Sequence, residues 1–193
     1  RVVGDVSYEF PAYEGRAAVA QSGTTWNVAE IAGAGGDARA EAVDMVDSQG
    51  SATGISFYTS GNDFGYNEAQ YYPNSNRFMG DRLIPARTTL NEWQIDGLEV
   101  GATYDLYFYG FTDSTGAVFD LTSGAAPQSA SLSPVTGARM YMANEDPEDW
   151  VEGMFYTVMT FTAEASTVTG AAHPQAPNMG WAGIQIAKHG SST

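Results

Sequence analysis

Residues 91–111, NEWQIDGLEVGATYDLYFYGF, constrain the fold more than any other stretch of this chain. Trp93 and Ile95 alternate with polar neighbours up to Asp96-Gly97, a turn signal. Tyr104, Leu106 and Phe108 then alternate against Asp105, Tyr107 and Tyr109. A period of two is the mark of a β-strand, here with aromatic rings on both faces. Between the two runs, Leu98, Gly101 and Tyr104 have the L-x-x-G-x-x-Y spacing of a tyrosine corner, in which the phenol hydroxyl ties back to backbone a few residues upstream. Gly101 can take the positive φ that such a bend needs. The alternative is an ordinary hairpin loop with Tyr104 as a plain core residue. Either way the stretch is the hydrophobic spine of an all-β fold.

The remaining composition agrees. Among 193 residues there are 22 Gly, 11 Tyr, 9 Phe and 4 Trp, which favours strands and turns over helices. The length suits one sandwich or barrel domain with a sizeable core. The expected extent is a single domain over residues 1–189, with 190–193 a frayed tail. Eight basic residues against 23 acidic give a net charge of -15. That charge opposes nucleic-acid binding and attraction to anionic membranes, and it offers oxygens to a hard cation such as Ca²⁺. The absence of cysteine rules out disulfides and thiolate metal sites. No apolar run has transmembrane length and no signal peptide is visible, so membrane insertion is not expected and the chain reads as a processed protein or an excised domain.

Along the chain, residues 2–10, 16–20, 43–46, 53–59, 117–122, 138–142, 154–162, 166–170 and 181–187 read as strands. Residues 29–42 are rich in Gly and Ala and read as a loop with room for a short helix. Residues 60–82, 144–153 and 173–180 read as long loops, the second of them acidic, and 47–50 as a hairpin turn. Residues 124–134 are loop or edge strand. About ten short strands with no convincing helix give a two-sheet antiparallel β-sandwich of jelly-roll type, with a barrel as the alternative.

Catalytic signatures are missing. The sequence has no P-loop, no G-x-G-x-x-G after a strand, no H-E-x-x-H and no G-x-S-x-G. The two histidines, His173 in a loop and His189 near the tail, do not suggest a histidine-assisted nucleophile or a multi-histidine zinc site. Glu145, Asp146, Glu148, Asp149 and Glu152 surround Trp150, but sequence cannot set two carboxylates across a glycosidic bond. A solvated acidic loop is the plainer reading, with Ca²⁺ coordination next. Residues 44–50 lack the alternating ligands and terminal Glu of an EF-hand. Asp5 and Glu9, with loop oxygens, are candidates for a structural Ca²⁺.

The informative pattern is aromatic rings set among polar loop residues. Tyr66, Tyr71 and Tyr72 lie among Asn62, Asp63, Asn67, Gln70, Asn74, Asn76 and Arg77, and Trp181 follows Asn178. A sugar presents an apolar C–H face and a hydroxyl rim, so its site pairs flat rings with amide, carboxylate and guanidinium groups. The competing reading makes these rings anchors that hold the loops to the sandwich.

Four segments carry a resemblance. They are residues 13–18 with 23–27 (YEGRAA, GTTWN), residues 47–54 (DSQGSATG), residues 95–98 with 104–110 (IDGL, YDLYFYG), and residues 180–186 (GWAGIQI). Together they resemble a β-sandwich domain family of secreted and surface proteins from environmental and marine bacteria. Some members carry a Pro-Glu-Pro sorting tail; others resemble carbohydrate-binding modules and are appended to polysaccharide-degrading enzymes. The likeness spans nearly the whole chain, on short and mostly structural motifs. It implies a sandwich and no catalytic residue. This chain departs from the family in having no sorting tail or anchor within its 193 residues, and in the wealth of Tyr and Asn over 60–82.

The expectation is a non-catalytic, secreted, extracellular carbohydrate-binding module that recognises a polysaccharide or oligosaccharide, anionic glycans included. Tyr71, Tyr72, Trp150 and Trp181 are the stacking candidates. Asn74, Arg77, Asp149 and Asn178 supply hydrogen bonds or charge, and Arg77 and Arg82 suit sulfate or uronate groups. The alternatives are a structural or adhesive extracellular domain and, last, a polysaccharide lyase or glycoside hydrolase that uses acidic residues or a tyrosine.

Overall fold

The computed structural model describes residues 2–3, 6–7, 27, 30–32, 38–47, 49–67, 81–85, 91–111, 116–134, 151–174 and 180–190. Among them there is no helix. The strands in chain order are β1 (Val2–Val3), β2 (Val6–Ser7), β3 (Glu30–Ala32), β4 (Ala38–Val46), β5 (Ala52–Asn67), β6 (Asp81–Pro85) and β7 (Asn91–Asp96). Then follow β8 (Thr103–Phe111), β9 (Ala117–Ser123), β10 (Gln128–Leu132), β11 (Tyr156–Thr162), β12 (Thr167–Pro174) and β13 (Gly180–Lys188).

Among the described residues all strand pairings are antiparallel, and β1 and β2 pair only with each other. The rest form one hydrogen-bonded path, β10-β9-β12-β7-β5-β6-β13-β8-β11, with β4 and then β3 branching from β5. The path folds into two layers at β5. Residues 56–59 of β5 pair with β7, while residues 62–67 pair with β6. From β6 onward the chain changes layer at each connection except the β9–β10 hairpin, which is jelly-roll winding. The far edges meet where the Gln128 amide donates to the Thr160 carbonyl (2.9 Å) and Ser133 N–H to the Gly153 carbonyl (2.6 Å).

The period-two pattern accounts for the core. Trp93 and Ile95 of β7 point inward, as do Tyr104, Leu106 and Phe108 of β8, Phe119 and Leu121 of β9, and Met159 and Phe161 of β11; all are buried. Phe108 bridges the layers, with its ring centroid 5.4 Å from Trp93 and 4.4 Å from Phe119. Each such ring contributes about 1.5–3 kcal/mol by leaving water.

β7 and β8 lie in different layers, and the corner between them is a tyrosine corner. The N–H of Glu99 donates to the Tyr104 hydroxyl (2.9 Å), and Gly101 has φ +84°. Gly97 (φ +85°) also lies so close to β5 that a Cβ there would stand 2.0 Å from the Gly54 carbonyl oxygen. No side chain fits there, which fixes the Asp96-Gly97 turn to glycine.

Several expectations need correction. Residues 2–10 are not one strand: β1 and β2 fold back on each other, Val2 opposite Ser7. Residues 29–42 hold strands, β3 and most of β4. Their alanines have little β-propensity, and pairing decides instead: Ala40 and Ala42 are buried opposite Thr59 and Phe57. The 60–82 stretch is strand at both ends, since β5 runs to Asn67 and β6 starts at Asp81. Tyr66 sits opposite Arg82 in that ladder. His173 lies on β12 rather than in a loop. The turn at 47–50 agrees with its reading. The Asp47 carboxylate accepts from the N–H groups of Gln49 and Ser51, both at 2.9 Å, and Gly50 N–H returns to the Asp47 carbonyl (2.9 Å). Expected strands 16–20 and 138–142 lie outside the described residues.

Candidate functional site

Of the eight residues singled out for ligand contact, Tyr71, Tyr72, Asn74, Arg77, Asp149, Trp150 and Asn178 lie outside the described residues. Trp181 is placed by its backbone alone. It sits on β13 opposite Gly110 of β8 and Leu83 of β6, next to a register shift between 181 and 183. Asp5 and Glu9 are likewise outside, and among the described residues no three His, Asp or Glu side chains gather as a metal site.

The described residues assemble a different cluster, on the outer face of the β6-β13-β8-β11 layer. Strand alternation that turns Tyr104, Leu106 and Phe108 inward turns Asp105, Tyr107 and Tyr109 outward. Register then sets Tyr109 beside Tyr156 of β11 and Gly183 of β13, Tyr107 beside Val158 and Gln185, and Asp105 beside Thr160 and Ala187. Tyr156 is the hub of three phenol rings, with centroids 6.1 Å from Tyr107 and 5.9 Å from Tyr109. Tyr107 and Tyr109 are buried, whereas Tyr156 is partly exposed.

Two polar groups flank the rings. The Tyr109 hydroxyl donates to Gln185 Oε1 (2.6 Å). Gln185 is only 8% exposed, yet its Nε2 has no hydrogen-bond partner. A buried amide donor without a partner is uncommon and costs about 1–3 kcal/mol. On the other side, Asp105 accepts from Thr160 Oγ1 (2.6 Å), faces His189 Nε2 at 2.9 Å, and takes a hydrogen bond from Tyr107.

The electrostatics follow from this wiring. Burial would raise the Asp105 carboxyl, but the bonds from Thr160 and His189, the His189 charge and the Tyr107 hydroxyl outweigh it and hold the group below the ordinary carboxylate value. Burial pushes the Tyr107 phenol up, and the nearby charges of Asp105 and Glu152 add to it. Burial and then Glu152 raise Tyr156 in the same direction. Both phenols therefore stay protonated and serve as rings and donors.

The opposite layer shows a simpler outer face. His173 Nε2 lies 2.7 Å from Asp120 Oδ2, and the Ser129 hydroxyl bonds the same carboxylate at Oδ1. Although Ser, His and Asp meet here, serine and histidine both address the aspartate, so no base is aimed at the hydroxyl, as a nucleophile requires. This group ties β9, β10 and β12 together.

The tyrosine cluster was visible in the sequence only as rings on both faces of the spine. Its signal was the triplet Asp105, Tyr107, Tyr109 at outward positions, where a plain solvated strand carries charged or small polar residues. Comparison of the chain with protein-family models, curated proteins and solved structures found no match.

Proposed function

We propose that this domain is a non-catalytic, secreted module that binds a glycan. The observation that carries the reading is the tyrosine cluster: a part-exposed ring, Tyr156, backed by two buried rings and flanked by an amide and a carboxylate. A sugar needs a flat apolar surface for its C–H face and directional partners for its hydroxyls. Tyr156 offers the first, held in place by Tyr107 and Tyr109, so little conformational freedom is lost on binding. Gln185 offers a donor and the exposed carboxylate of Glu152 an acceptor. Tyr71, Tyr72, Trp150 and Trp181 belong to the proposal as further stacking contacts, with Asn74, Arg77, Asp149 and Asn178 as polar ones. A structural Ca²⁺ and a bacterial origin come with it.

A lyase or hydrolase reading finds less support. Phenols pushed upward make poor bases at neutral pH, and Asp105 is already engaged by three donors. The test is a glycan array followed by affinity electrophoresis of the full chain in gels containing the polysaccharides that score. The reading expects retardation that Tyr156→Ala abolishes, without release of reducing ends or unsaturated products. No retardation by any glycan, or retardation indifferent to that substitution, refutes it.

A further inference from the structure

The tyrosine face carries negative charge and, among the described side chains, no Lys or Arg to balance it. Asp105 lies on it, and Glu152, exposed and bridged to Tyr156 through backbone, acts on both Tyr107 and Tyr156. Among the described side chains its cation is the imidazole of His189 when protonated, which is engaged with Asp105. Arg82 is placed by its backbone alone, on β6 of this same layer, and the two Lys and Arg side chains that are described lie elsewhere. Lys188 is held by Glu99 at 2.5 Å, and Arg39 is on β4 in the other layer. Gln185, 8% exposed with its Nε2 unpartnered, sits opposite Tyr107 on the same face.

We propose that the ligand of this face is an amine-bearing glycan, one whose sugar units carry ammonium groups. This inference rests on the glycan-binding reading. An acidic sugar brought to Tyr156 would meet Glu152 and Asp105, and like charges at close range repel. An ammonium group is attracted to those carboxylates and to the face of the Tyr156 ring. The unpartnered amide of Gln185 requires an acceptor, which ring and hydroxyl oxygens supply, directly or through water. The phenols of Tyr107 and Tyr156 are raised first by burial and then by the same carboxylate charges.

The experiment is calorimetric titration of the full chain with three hexasaccharides: a glucosamine hexamer, its fully N-acetylated counterpart and a galacturonate hexamer. The inference expects the amine form to bind about tenfold more tightly than the N-acetylated form, with the advantage lost in 0.5 M NaCl because salt screens exposed charges. Galacturonate should bind weakest. E152Q, a change at an exposed position, should weaken amine binding about threefold, the scale of one exposed ion pair, and leave the N-acetylated form unchanged. Tyr156→Ala must remove amine binding. If it does not, the attraction is only that of a polycation for a chain of charge -15, and the inference fails. Equal affinity for the amine and N-acetylated forms, tighter binding of galacturonate, or binding of none of the three also overturns it. In those cases the glycan-binding reading still stands if the wider array retains a hit that depends on Tyr156.

Discussion

Replacing Gly170 with alanine tests whether the core is packed as described. Gly170 lies on β12 opposite Trp93 of β7, and the indole, 1% exposed, lies across it. A Cβ at Gly170 would stand 2.2 Å from Trp93 Cζ2, 2.4 Å from Cε2 and 1.9 Å from the Asp120 carbonyl oxygen. The backbone of β12 cannot yield easily, because it is hydrogen-bonded to β7 on one side and β9 on the other. Overpacking a core costs about 1–3 kcal/mol. With one clash on backbone and one on a buried indole, the upper end applies, about 3 kcal/mol. For a chain of this size that corresponds to a fall in Tm of about 6–12 °C. Urea unfolding followed by tryptophan fluorescence and by far-UV circular dichroism measures it. A double-mutant cycle locates the cause. In a Trp93→Phe background the ring clash is relieved and the carbonyl clash remains, so Gly170→Ala should cost at least about 1 kcal/mol less there than in the parent. Trp93→Phe also removes the buried Nε1–H, which has no partner. A cost for Gly170→Ala below about 0.5 kcal/mol, or strict additivity with Trp93→Phe, would refute this packing.

Tyr104→Phe leaves the Glu99 N–H without the hydroxyl that now accepts it and should destabilise the chain by about 1 kcal/mol, read as a lower urea midpoint with unchanged slope. The Asp105 carboxyl is depressed in the folded state, so its stabilisation is complete above the ordinary value of 3.8 and is lost as pH falls through the lower folded value. The acid limb of the stability curve should therefore be shallower in Asp105→Asn than in the parent; parallel limbs would count against the Thr160–Asp105–His189 wiring. Tyr107 and Tyr156 are raised above 10.0, so their contribution is complete below pH 10.0 and is lost as pH rises through the higher folded values. Absorbance titration should show Tyr107→Phe and Tyr156→Phe each removing a phenol that ionises above pH 10.0; loss of one that ionises at or below it would contradict the burial described.

What the sequence disclosed and what it withheld have physical causes. The spine was legible because alternation over β7 and β8 is strong and because the L-x-x-G-x-x-Y spacing has one good geometric use. Residues 29–42 were not, since Ala and Gly carry no strand preference. Long-range pairing specifies β4, along with a clasp in which the Asn27 side-chain amide bonds both the N–H and the carbonyl of Val46 at 2.8 Å. The length of β5 was hidden by its Ser60-Gly61-Asn62-Asp63 run, which reads as a turn by composition yet falls where the strand passes from one layer to the other. The tyrosine cluster depends on register among three strands that are far apart in sequence. Local pattern showed that Tyr107 and Tyr109 face away from the core, but not that Tyr156 and Gln185 join them. Aromatic residues in polar loops drew attention because they are conspicuous in one dimension, whereas a strand face is assembled only in three.

The central claim is that the outer tyrosine face, and not some other surface, meets the ligand. Binding of the best glycan from the array by Tyr156→Ala, compared with Tyr58→Ala on the outer side of the opposite layer, tests it most directly. The account predicts a loss of about tenfold or more in affinity for the first, about 1.4 kcal/mol, and parent-like binding for the second, both proteins still unfolding in a single cooperative urea transition. Undiminished binding by Tyr156→Ala, or an equal loss in Tyr58→Ala, would contradict it.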